Sequence, residues 1–391
     1  MSRAIGDSGL TNAKLNAMRK QGDPVADRAV DAVFEDGGVS EVNALLHKLV
    51  RVDQPVPAEL PEAVQRYLED TVDLPEWADM DKIARGQKLF ETMGLQITLC
   101  LFCASLPSAY AAAKAVKVLY LTAQLDTNAR RRVMETAQFL FDVLNPGGLD
   151  ENGVGRRTIQ KIRLMHAAVR RLIQERSQQQ PNLWRRHWGT PINQEDLAAT
   201  LLVFWFVVGE PMDHLGTPVL AEDKDAYLHL WNVIGHQLGV RDELLVFDVA
   251  EADALIDLIR RRQFRASPEG QDMTRALLLL LDQLTPGHTF DKTIPPLIRH
   301  LIGDKTADLL LVPRSNLGGD VRRIQCITNW FFVRVFGNPG KSDSERYGFV
   351  SDIVRPFTGE LLREMFKLER GGERAQFALP DHLARSWELS K

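Results

Sequence analysis

The chain has 391 residues, of which 45% are hydrophobic and 26% charged, with a formal net charge of −4. That length can bury a substantial core as one large domain or two ordinary ones. The near balance of charge gives no basic field of the kind nucleic-acid binding needs.

The first residues carry no apolar run of signal-peptide type, so the chain as numbered is expected in the cytoplasm, or outside the cell if an export segment has been removed. Short helices are predicted over 25–34 and 42–50, followed by a Pro-rich link from Pro55 to Pro61. Residues 1–85 therefore read as a helical extension packed on the core. From about Ile83 to Ile302 the patterns become longer and more apolar. Helices are predicted over 119–144, 156–174, 194–208, 226–238, 250–262 and 273–284. The longest apolar block, Leu197 to Val208, falls short of the roughly 18 residues a membrane-spanning helix requires, so no transmembrane segment is expected. After Pro295-Pro296 come helical patterns over 297–311 and 324–335 and a polar tail. No βαβ rhythm, Gly-rich phosphate loop or internal repeat interrupts the series. The expected fold class is all-α, with a core over 86–310, a C-terminal helical segment over 311–391, and one compact domain overall.

Three cysteines are too few for a disulfide framework and suit a reducing compartment. Cys100-Leu-Phe-Cys103 has the spacing of a redox or metal motif, but no second such pair exists, and core packing is its expected role. Ala104 follows in place of the histidine that covalent haem attachment needs. The basic groups Arg130 to Arg132, Arg185-Arg186 and Arg260 to Arg262 read as solvated helix faces, with one or two of these arginines suited to a phosphate or propionate contact.

The run Lys161-Ile-Arg-Leu-Met-His-Ala-Ala-Val-Arg170 places a titratable imidazole on the apolar stripe formed by Ile159, Ile162, Val169 and Ile173. His166 should point inward, while Arg156, Arg157, Lys161, Arg163, Arg170 and Arg171 should form a solvated or anion-contacting side. Two roles stay open for His166: a core histidine bonded to a neighbouring carbonyl, which the residues alone favour, and a haem ligand. Asn145-Pro-Gly-Gly148 through Asn152-Gly153 breaks the chain between two helices and predicts a hairpin. Arg132 and Thr136 share a face of its first arm. With about 1.5 Å of rise per residue, Arg132 and His166 both stand roughly 17–20 Å from the turn, so a planar ligand can sit between them. Asn193-Gln194-Glu195-Asp196 precedes an apolar helix and reads as its cap. His187, His214 and His236 lack the spacing of a ligand pair.

The runs Arg132-Val-Met-Glu-Thr136-Ala-Gln-Phe139, Lys161 to Arg170 and Trp188-Gly-Thr-Pro-Ile-Asn193-Gln-Glu-Asp-Leu197, with Trp231-Asn-Val-Ile-Gly235 and Arg262-Gln263 beyond them, resemble the haem-dependent rubber oxygenases called latex clearing proteins, and the wider oxygenase family that includes the fungal MpaB enzymes. The resemblance implies a globin-like helical core with non-covalent haem b between the two helices and His166 as proximal iron ligand. It also implies Arg132 for distal orientation or haem-site polarity, and Thr136 for hydrogen bonding near oxygen or substrate. The implied reaction takes O2 as co-substrate and cleaves C=C bonds of a long apolar isoprenoid to carbonyl products. Two departures stand out. The family's lysine before that threonine is Glu135 here, and its catalytic glutamate has no counterpart in 111–122, which offers Lys114 and Lys117 but no acid. In a partly apolar cavity Glu135 would have a raised pKa and could exchange a proton with an oxygen intermediate; the alternative is pairing with Arg131 or Arg132. Rival functions are a haem-binding sensor or carrier of the same fold, and an all-α interaction protein with no cofactor.

Overall fold

The structure, a computed structural model, describes residues 9–35, 61–122, 136, 138–151, 153–284 and 294–314. The helices predicted over 42–50 and 324–335, and most of the first hairpin arm including Arg132 and Glu135, lie outside the described residues. In chain order the helices are α1 (Asn12–Met18), α2 (24–35), α3 (Glu62–Asp70), α4 (Met80–Cys100), α5 (Leu106–Ala111), α6 (Val116–Thr122), α7 (138–144), α8 (Val154–Gln179), α9 (Gln194–Trp205), α10 (Glu210–His214), α11 (Ala221–Gln237), α12 (Val249–Gln263), α13 (Pro268–Leu284) and α14 (Ile294–Leu309). The class is all-α, as expected. Among the described residues extended backbone pairs only at an isolated antiparallel bridge, Ala112 with Phe264. The helix α11 starts five residues before its predicted bound, because its first turn is polar and invisible to apolar periodicity. Glu222 and Asp223 there complement the positive helix end.

Two features shape the wall on the α4 side. Asp79 caps α4, its Oδ1 accepting from the backbone N–H of Asp81 and Lys82 at 3.0 and 3.1 Å. The helix then breaks at Met93, where φ −116° and ψ 21° leave the helical region. It runs on through a π turn, Leu101–Ser105, into α5, so that Met80–Gly94 and Gln96–Ala111 meet at 85°. Among the described residues no single helix is long and apolar enough to cross a membrane. Cys100 just before this turn and Cys103 within it are fully buried free thiols. Burial pushes both thiols up, Cys103 to about 12, so they pack as small apolar groups. The end of α5 is tied to the end of α12 by Ala113 N–H donating to the Gln263 carbonyl and Arg265 N–H to that of Ala111, each at 3.1 Å.

The helix α8 runs between two apolar clusters. Ile159 and Ile162 belong to the larger one, and Leu164, Ala167, Ala168, Val169, Leu172 and Ile173 to a smaller one shared with α2 and α3. The predicted hairpin is present: Asn145 to Gly153 turns the chain, Gly155 N–H donates to the Gly148 carbonyl at 2.9 Å, and Thr158 Oγ1 donates to Asp142 Oδ2 at 2.6 Å across the two arms. Gly148 is required there, since a Cβ would lie 2.2 Å from the Asp142 carbonyl oxygen.

Of the two readings left open for the basic side of α8, solvated or anion-contacting, the structure shows the second. Arg156, Arg157, Lys161, Arg163 and Arg170 are all buried, and only Arg171 is half-exposed. Asp23, just before α2, and Asp27 and Asp31 on its next turns account for this burial. Asp23 takes Arg163 in a bidentate pair at 2.6 and 2.9 Å, Asp27 takes Arg170, and Asp31 takes Arg171 at 2.8 Å. Arg156 donates to the Leu149 and Val72 carbonyls. These partners let α8 bury most of its basic side as well as its apolar stripe.

Candidate active site

An apolar cavity lies between α5, α6, α8, α9 and α12. Its volume is about 240 Å³, and the non-atom space within its outline, open mouth included, is about 1850 Å³. Apolar side chains such as Val118, Leu119, Val169, Leu197, Phe204 and Trp231 make most of its wall. Trp231 stacks on Phe204, with centroids 5.1 Å apart and planes at 11°, so two aromatic faces stand there as one rigid plate. The plate is placed by α11. Asn232 donates to the Val246 carbonyl at 2.7 Å. Gly235, where a Cβ would meet Leu201 at 2.6 Å, lets α9 close against α11. The motif Trp231-Asn-Val-Ile-Gly235 thus has a packing reason at each end.

His166 lies in the cavity wall, beside Met165. From Gly155 to Arg170 every residue of α8 is buried except these two. On an otherwise enclosed helix they are the partly open residues, and with Val169 they form the face of α8 that lines the cavity. Thr136, two residues before α7, also lines it, as does Thr122. Of the hairpin pair singled out in the sequence, the structure therefore brings Thr136 and His166 to one cavity, while Arg132 and Glu135 lie outside the described residues.

The segment between α8 and α9 closes this region. Arg170 donates to the carbonyls of Pro191 and Ile192 at 3.1 and 3.0 Å. Ile192, a cavity residue, has φ +49°, a strained state for a β-branched side chain that these bonds help hold. Gly189, at φ +88°, permits approach to the Arg19 carbonyl, which a Cβ would meet at 2.3 Å. Asn193 is the cap the sequence indicates: its Oδ1 accepts from Asp196 N–H at 3.0 Å. The next residues do more than cap. Glu195, with no exposed surface, accepts from Arg262 Nε at 2.8 Å, Gln263 Nε2 at 2.8 Å and Arg19 Nη1 at 3.4 Å. Asp196 accepts from Arg19 at 2.8 Å. One charged knot fastens α1, α9 and α12, and Arg262 is consequently no solvated residue.

The family described as ER-bound oxygenase mpaB/B′/rubber oxygenase, catalytic domain, matches residues 92–338. The chain belongs to the MpaB/rubber oxygenase family. It is 30% identical over 295 residues to the rubber oxygenase of Streptomyces sp. (strain K30), covering 74% of this chain and 70% of that one. The solved structure of latex clearing protein LCP in the closed state superposes with a TM-score of 0.73 at 25% identity, covering 93% of this chain and 95% of that one. Family membership makes the chain an oxygenase homologue, and the matched region contains the whole cavity wall from Ser105 to Met273.

The donor chemistry of the cavity bears on which oxygenase cofactor these residues could hold. A metal ion bound by protein alone takes three or four side-chain ligands. Among the described residues no group of three His, Cys, Asp or Glu is so placed. A group that supplies most of a metal's ligands itself would ask the protein for a nitrogen donor and an apolar surround, and His166 with the apolar wall beside it could offer both. Cavity residues to which sequence reasoning gave no role include Met165, Ile192, Phe204 and Phe206, while Arg260 was named only as part of a basic helix face. Met165 was legible as the residue beside His166, whereas the others enter through helix packing.

Proposed function

We propose that the protein is a haem b-dependent dioxygenase that cleaves C=C bonds of a long apolar isoprenoid with O2. The observation that carries the reading is the pairing of Met165 and His166 as the open surface of α8 in an apolar cavity, within a chain of the rubber oxygenase family. His166 would hold the iron through an imidazole nitrogen. Bound haem would supply the activation of O2. The protein's own part is positioning and exclusion of water: Trp231, Phe204 and Leu197 offer an apolar surface against which a hydrocarbon chain can lie. The Thr136 hydroxyl, in the same wall, can donate a hydrogen bond to a polar atom beside the alkene. Arg132 would set the polarity of the distal side, and Glu135 would exchange a proton there. Breaking the double bond gives each carbon one oxygen atom, leaving an aldehyde on one fragment and a ketone on the other, with no external reductant consumed.

A second reading, a haem-binding sensor or carrier, is favoured by residues 111–122. They hold Lys114 and Lys117 but no carboxylate, and Lys117 is engaged by Glu269 and the Trp188 ring. Purified protein should show a Soret band on haem supplementation, and His166→Ala should lose most of it. An unchanged band and stoichiometry in the variant would remove His166 from the iron. Oxygen uptake with polyisoprene or shorter terpenoids separates the oxygenase from the sensor, which binds haem and consumes none.

A further inference from the structure

Among the described residues lining the apolar cavity, Arg260 is the one permanent cation. The other arginines near this region are fully engaged: Arg19 and Arg262 by Glu195, Asp196 and neighbouring carbonyls, Arg163 and Arg170 by Asp23, Asp27 and the chain at 191–192. The guanidinium of Arg260 is different. Its nearest carboxylates, Asp257 and Glu210, stand at 3.6 and 4.0 Å, beyond hydrogen-bond distance, and its side chain is 32% exposed. It lies over the Phe206 ring at 5.0 Å. Arg260, Phe206 and Ile256 line a second pocket as well, a polar one of about 500 Å³ with Glu210, Asp213, Asp253, Asp257 and Lys224 around it. These three residues are therefore the partition between a polar vestibule and the apolar cavity.

We propose that Arg260 determines specificity by reading the oxygenated end of an otherwise apolar chain. Its spare N–H groups donate to a neutral terminal oxygen, carbonyl or hydroxyl, while the hydrocarbon runs along Ile256, Ile259 and Phe206 into the cavity that contains His166. The oxygen is neutral because the vestibule places four carboxylates against Arg260 and Lys224, so an anionic head group would be repelled. This rests on the oxygenase reading. A chain cut once by O2 ends in a carbonyl, so a first cleavage makes a ligand for Arg260 and the anchored end fixes where the next cut falls.

The test is binding by calorimetry of farnesal, farnesoate and farnesene to haem-supplemented and haem-free protein, with Arg260→Met and Arg260→Lys alongside. The wild type should bind farnesal about tenfold more tightly than the hydrocarbon, in line with a hydrogen bond to a charged donor, and farnesoate no better than the hydrocarbon. Arg260→Met, which keeps the apolar stem over Phe206, should bring farnesal to the level of farnesene with the melting temperature unchanged, and Arg260→Lys should restore part of the preference. A preference that survives in Arg260→Met, or its absence in the wild type while farnesene still binds, overturns the proposal and leaves the oxygenase reading standing. Wild-type protein that binds none of the three overturns both.

Discussion

Glu195 is a charged residue without exposed surface, and the free energy of removing that charge from water is offset only because Arg262, Arg19 and Gln263 converge on its two oxygens. Replacing it with glutamine keeps the volume but leaves two guanidinium groups undercompensated. We expect Glu195→Gln to lose about 3–5 kcal/mol of unfolding free energy, as breaking a buried pair does. Urea denaturation at constant m value measures it. Its place in a helix-capping segment was legible in the sequence, since Asn193 caps α9 as such residues do. Its pairing was not, because Arg19 and Arg262 approach from 176 and 67 residues away. Arg260 and Arg262 make the same point from the other side: two arginines of one basic run end in different surroundings because two residues carry a side chain about 200° around a helix, from a cavity rim to a buried knot.

The start of α4 carries a pH-sensitive contact. His229 Nε2 accepts the Asp79 N–H at 2.8 Å, and an imidazole can accept there only while neutral. Burial and the positive charge of Lys82 hold its pKa below the usual histidine value, against the opposing influence of Asp79 and Asp225. A group whose folded pKa is depressed contributes stability that is complete above its unfolded value of about 6.5 and is lost as the pH falls through the folded value. Melting temperature should therefore decline on acidification below about pH 6, and His229→Gln, which keeps an acceptor but does not titrate, should flatten that decline. An identical pH profile in the variant would dissociate His229 from it. At the level of elements the long helices were readable from periodicity, α8, α9, α12 and α13 among them. Whether the basic face of α8 meets water or anions stayed open in the sequence, because periodicity locates the charges and not the carboxylates that arrive from 140 residues away to pair with them.

Across the whole molecule, the family and the all-α class followed from motifs that the structure assembles around one cavity, yet the cavity's second, polar neighbour left no signal in sequence because its acids come from α10 and α12 together. An apolar space of this extent forgoes packing that a ligand can restore. Anything bound there stabilises the fold by mass action, about 2.7 kcal/mol at a hundredfold excess over its dissociation constant. Haem supplementation should thus raise the melting temperature by several degrees in a dose-dependent way, and His166→Ala should blunt that rise while leaving the haem-free value nearly unchanged. Thermal scans with and without haem decide this, and an equal rise in both proteins would place haem away from His166.

The carboxylate ladder of α2 has a bearing on how the chain is made. Asp23, Asp27 and Asp31 meet arginines 140 to 143 residues further along. During synthesis Asp23 and α2 emerge before α8, and the three carboxylates meet these arginine partners only once α8 has been translated. Closing so long a loop carries an entropic cost that must be met before the pairs form. The segment is thus made early and seated late, and a nascent chain paused before residue 163 would expose the apolar face of Ala26, Ala29, Val30 and Val33 to whatever chaperone attends it.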